Sequence, residues 1–143
     1  MDIKDILSQP KTWMIVGSFL VVFMLGIGPI MASSGDVSEL AEDEFGEFYT
    51  NAADADKETI EESVEVDAYF FGATNVAITL FILGFAFLTE GKTRAKSAVF
   101  CGVSLILWSI YSQGELDMEA ITFYSVVAAP MIIAGTLHLN GGE

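Results

Sequence analysis

The sequence predicts an all-α membrane protein: a four-transmembrane-helix bundle with an acidic, partly helical extracytoplasmic loop between helices 1 and 2. Three observations carry this. Four long blocks are apolar and, apart from Lys96 at the mouth of the third, free of Asp, Glu, Lys and Arg. The other charged residues lie between the blocks or at the two ends of the chain, although the 143-residue chain is 52% hydrophobic with a net charge of −14. Five of the six basic residues lie on one side of the blocks and sixteen of the twenty acids on the other.

The blocks run from Trp13 to about Met31, Ala68 to about Leu88, Ala95 to about Tyr111 and Ala120 to about Leu139. A hydrocarbon core about 30 Å thick takes about 20 helical residues to cross. Lipid offers the backbone no hydrogen-bond partners, so such blocks must be helical. A barrel would show shorter, alternating segments. The first block follows Lys4 and Lys11 and precedes Ala32, Ser33 and Ser34, as in a signal peptide. Its apolar core exceeds the 7–15 residues or so of a signal sequence, so an uncleaved helix is expected. The length suits a single integral membrane domain.

Orientation follows from the basic residues. Lys4, Lys11, Lys92, Arg94 and Lys96 lie on one side of the blocks, and only Lys57 lies on the other. The positive-inside rule places both termini and the turn between the second and third blocks in the cytoplasm of a cell-membrane protein. The outer side holds sixteen acids against Lys57, a net of −15; thirteen of them fall between Ala32 and Asp67. Trp13 marks the inner interface, and Tyr69, Trp108, Tyr111 and Tyr124 lie toward the outer one.

Between the first two blocks, Val37, Leu40, Ala41, Phe45, Phe48 and Tyr49 recur at helical spacing, with Asp36 or Ser38 placed to cap the helix. This predicts an amphipathic helix whose apolar face meets protein, since anionic headgroups repel so acidic a segment. Leu40, Phe45, Phe48 and Tyr49 form its candidate partner-docking face. Ile60, Val64, Ala68 and Phe71 resume helical spacing, so the second membrane helix should begin near Lys57, outside the bilayer. Asp54, Asp56, Glu58, Glu62 and Glu65 fall at ligand positions of a calcium-binding EF-hand loop. Thr59 stands where that loop needs glycine, which leaves only weak, delocalised attraction of divalent cations.

Polar groups within the blocks are few. Small and polar residues form stripes: Gly17, Val21, Met24 and Gly28; Ala68, Gly72, Asn75 and Thr79; Ala98, Gly102, Leu105, Ser109 and Ser112; Thr122, Ser125, Ala129, Ile132 and Thr136. Such stripes let membrane helices approach closely, with Asn75, Thr79, Ser109 and Ser125 as the candidate interhelical polar contacts. No carboxylate, His or Lys sits at mid-membrane to carry protons or ions. Gly26, Gly28 and Pro29 are expected to end the first helix loosely, and Pro130 to kink the fourth. Cys101 reads as a small packing group and His138 as an interfacial residue. The sequence offers no catalytic residues, no metal-ligand set and no cofactor site. The acidic balance argues against nucleic acid.

Helix 1 is followed by a long outer loop. The run Tyr69-Phe70-Phe71-Gly72-Ala73-Thr74-Asn75 and the glycine-ended Ser109-Ile110-Tyr111-Ser112-Gln113-Gly114 follow. In this layout, over residues 13–139, the chain resembles the small four-helix prokaryotic DoxX-like membrane proteins. The resemblance implies a quinone- or lipid-handling oxidoreductase subunit as one function; no family site residue maps onto this chain. The residues themselves favour a non-catalytic accessory or structural subunit of a larger membrane complex, interacting with other subunits through the acidic loop and the lipid-embedded helices. A small cation channel or transporter is the alternative.

Overall fold

A computed structural model describes residues 6–112 and 118–141. Every element among them is helical: α1 (Pro10–Ser33), α2 (Ser38–Phe45), α3 (Glu47–Thr50), α4 (Asp54–Leu88), α5 (Gly91–Ser112) and α6 (Met118–Asn140). Helices α1, α4, α5 and α6 are each long and apolar enough to cross a membrane. Their hydropathy decides this, because large side chains such as Phe23, Phe81, Phe100 and Val126 stay exposed along them. In water such surfaces would aggregate; against lipid they need no partner.

Helix α1 does not end at Gly26–Pro29. It passes through a π-helical segment, Val22–Ile27, and resumes as an α-helix over Gly28–Ser33. Pro29 has no N–H to donate to the carbonyl one turn back, and the wider i→i+5 turn lets the chain pass that gap. The wider turn also shifts the phase. Gly17 and Val21 are buried as the stripe predicts, but Met24 and Gly28 are exposed and Gly26 takes the inward position.

Helix α4 has 35 residues, about 52 Å at 1.5 Å per residue. Crossing a bilayer takes about 20 of them, so about fifteen, beginning at Asp54, are surplus to a span. Asp54, Asp56, Glu58, Glu62 and Glu65 all lie on this continuous helix, which denies them the geometry of a calcium loop.

The residues gather in two compact units: Val21–Ile78, and those up to Leu20 together with those from Thr79 onward. In the second of these, α5 and α6 pack side by side. α5 buries Ala95, Ala98, Cys101, Gly102, Leu105 and Ser109; α6 buries Tyr124, Val127, Ala128, Met131, Ala134 and Gly135. A Cβ added at Gly135 would lie 2.5 Å from the Ala95 carbonyl oxygen, and one at Gly102 3.0 Å from that of Ala128. The two backbones thus approach as closely as glycine permits. Gly17 of α1 lies against Met131 and Val127 of α6.

The predicted stripe on α6 is rotated. Thr122, Ala129 and Thr136 are exposed and Ser125 is half-buried, while the face with Ala128 and Gly135 turns inward. The Thr122 hydroxyl donates to the Met118 carbonyl of its own helix (2.6 Å), so nothing forces it toward a neighbour.

In the Val21–Ile78 unit, the later part of α1 meets α4 at glycines. A Cβ at Gly72 would come within 2.6 Å of the Gly26 carbonyl oxygen, and Val76 lies 3.0 Å from the Cβ position of Gly26. The same unit holds α2, α3 and the acidic start of α4.

Candidate functional site

The acidic segment folds onto the start of α4. The Asp36 carboxylate accepts the Ser38 N–H at 3.0 Å, closing a turn at the head of α2. Hydrogen bonding from the Ser38 side chain, and then from its N–H, holds the Asp36 carboxyl below the usual carboxylate range. Neither predicted residue caps α2: Val37 holds the N-cap position without a side-chain cap bond, and Asp36 closes the turn just before it. Gly46, at φ 53°, then separates α2 from α3. A side chain is disfavoured in that conformation, and the break turns α3 relative to α2.

Ala41, Tyr49 and Val64 are buried together, with Leu40 and Ile60 packed against them. This small core joins α2 and α3 to α4. Tyr49 is its largest member and its polar anchor. The phenolic O–H donates to the Glu61 carboxylate, and Lys57 Nζ stands 5.3 Å from the centre of the ring. Lys57, alone among the surrounding acids, therefore holds a position from which its charge acts on both the ring face and the acidic field. The bond to Glu61, reinforced by burial and by the negative charges of Glu61, Asp36 and Glu42, pushes the Tyr49 pKa up to about 12.

The fold divides the predicted docking face. Tyr49 and Leu40 are turned into the small core, because the apolar positions of α4 at Ile60 and Val64 need covering. Phe45 and Phe48 remain outside, Phe48 at 70% exposure. Glu42, Asp43, Glu44 and Glu47 beside them are exposed as well. The result is a pair of aromatic rings set among carboxylates on a folded platform.

The predicted interhelical polar residues separate in a similar way. Asn75, Thr79 and Ser109 are buried, and Ser125 is half-buried. Asn75 Nδ2 donates to the Phe71 carbonyl at 3.0 Å, and Ser109 Oγ to that of Ile106 at 2.7 Å. Both bonds lie within a single helix. Asn75 is fully buried. The Thr79 hydroxyl is buried without a hydrogen-bond partner, as is that of Ser18 on α1.

Among the described residues, no three His, Cys, Asp or Glu side chains gather where they could hold a metal ion. Cys101 is buried on α5, and His138 is exposed in the last turn of α6. Of the three outer acids between the third and fourth blocks, Glu115, Asp117 and Glu119, the first two lie outside the described residues. The arrangement sets two exposed aromatic rings in a negative field, on a platform braced by Tyr49.

No protein-family model, curated protein or solved structure matches the chain.

Proposed function

We propose that this protein is a non-catalytic accessory subunit of a larger membrane complex, and that it engages a basic surface of a neighbouring subunit through Phe45 and Phe48. In this reading α1, α4, α5 and α6 cross the cell membrane with both termini in the cytoplasm. The acidic segment then stands on the outer side, on the extension of α4.

The observation that carries the reading is the exposure of Phe45 and Phe48 on a segment whose other apolar residues are tied down. A loose acidic loop would leave all its aromatics equally available. Here Tyr49, Leu40 and Ala41 fix the platform, so the two phenylalanines are presented at little further ordering cost. Aromatic anchors surrounded by charge resemble the centre and rim of a protein interface. The surrounding carboxylates select a cationic partner and speed its approach.

Isolation from native membranes in mild detergent, followed by native mass spectrometry, tests the proposal. A second integral membrane protein should accompany the chain in a fixed ratio. Its loss on Phe45→Ala/Phe48→Ala substitution, with the chain still folded, is the expected outcome. A 15.4 kDa monomer without companions contradicts it.

A further inference from the structure

Gln9 and the first turn of α1, the first turn of α5 and the last turn of α6 line an open cavity of about 320 Å³. Lys11, Arg94 and His138 line it, together with the polar side chains of Gln9 and Thr12. These three nitrogen-bearing residues are far apart in the sequence, and folding alone brings them together. Among the described residues, no carboxylate lines the cavity.

Two details distinguish the cavity from a solvated basic patch. The Arg94 Nε is buried and has no hydrogen-bond partner. A buried guanidinium N–H without an acceptor is costly, and an anion entering the cavity would supply one. Lys11 is held in place, with its Nζ 4.6 Å from the centre of the Phe87 ring. The cavity also lies at the N-terminal ends of α1 and α5, where unpaired amides favour negative charge. The C-terminal end of α6 opposes this, but it brings His138, a nitrogen donor, in its last turn.

We propose that this cavity binds an anionic phosphate group, with Arg94 as the principal ligand and Lys11 and His138 completing the site. Phosphate matches the donor geometry of a guanidinium better than a halide does. The volume equals that of about ten waters at about 30 Å³ each, which accommodates a phosphate and an attached glycerol. The phosphate can belong to an anionic lipid headgroup or to a soluble phosphate compound. The lipid source rests on the membrane reading above, since the cavity opens at helix ends where headgroups would lie; the soluble source does not.

The test uses the full chain purified in a mild detergent. In one arm, native mass spectrometry measures retention of added phosphatidylglycerol and phosphatidylcholine. In the other, phosphorus NMR follows titration with inorganic phosphate. A lipid site predicts saturable retention of one phosphatidylglycerol, preferred over phosphatidylcholine by about tenfold or more. A soluble-ligand site predicts saturable phosphate binding without lipid preference. In either case Arg94→Gln should weaken binding by about tenfold or more, while Lys92→Gln, an exposed cation outside the cavity, leaves it unchanged. If Arg94→Gln does not fold, Lys11→Gln/His138→Gln carries the same expectation. Saturable binding of neither probe overturns the proposal, as do equal losses in the cavity variant and in Lys92→Gln.

Discussion

The Tyr49 hydroxyl donates to the Glu61 carboxylate across the small core that joins α3 to α4. This bond makes an otherwise self-repelling acidic segment into a platform. The bond needs the protonated phenol, so its pH dependence has a definite sign. The folded-state pKa of Tyr49 is raised to about 12. Its contribution is therefore fully present below the unfolded value of about 10 and is lost as pH rises through about 12. Ultraviolet phenolate titration should show one late-titrating tyrosine that disappears in Tyr49→Phe. If the variant and the parent give the same curve, the bond does not hold the segment.

The contact of α5 with α6 depends on Gly135, whose added Cβ would meet the rigid Ala95 carbonyl. Gly135→Ala should destabilise the protein by about 1–3 kcal/mol, the usual cost of overpacking. Gly84→Ala provides the comparison: nothing lies within 4 Å of its Cβ position. Alanine's better helix propensity then predicts no loss, or a gain of up to about 1 kcal/mol. Thermal unfolding in detergent reads both, and equal effects would contradict the close approach.

The Thr79 hydroxyl is buried without a partner, so Thr79→Val removes a desolvated group while keeping the shape of the side chain. Stability should be unchanged or rise by about 1 kcal/mol. A clear loss in the same unfolding assay would show that the hydroxyl has a partner in the working protein, as a hydrated path along α4 would require.

The charge asymmetry fixes an expected orientation. With single cysteines at Glu44 and Lys92, a membrane-impermeant thiol reagent should label the first in intact cells and the second only after permeabilisation. The reverse pattern would invert the topology and place the acidic platform inside.

Much of this architecture was legible because lipid reduces the choices. The four helices match the four apolar blocks to within a few residues, apart from the extension of α4. That extension followed from Ile60 and Val64, and it begins at Asp54, close to the predicted Lys57. The α5 stripe from Ala98 to Ser109 is buried as its spacing requires. Two stripes misled for local reasons. On α1 the π-helical segment moves the inward position from Met24 to Gly26, and 3.6-residue periodicity cannot show that shift. On α6 Thr122 bonds its own backbone and Thr136 is exposed, so polarity did not mark the packed face; the small pair Ala128 and Gly135 was the better signal. At the platform, pairing of the outer helix with the extension of α4 was expected, but spacing alone did not show that Tyr49 would join that contact while Phe45 and Phe48 stay outside. The cavity of Lys11, Arg94 and His138 had no sequence signature, since residues up to 127 positions apart form it.

In the proposed function Phe48 contacts a partner subunit. A photo-crosslinking phenylalanine analogue at position 48, activated in intact cells, tests it most directly. The account predicts a crosslinked species that contains this chain and one other membrane protein, absent when the analogue replaces lipid-facing Phe81. Recovery of the uncrosslinked 15.4 kDa chain alone, or equal crosslinking from both positions, would contradict it.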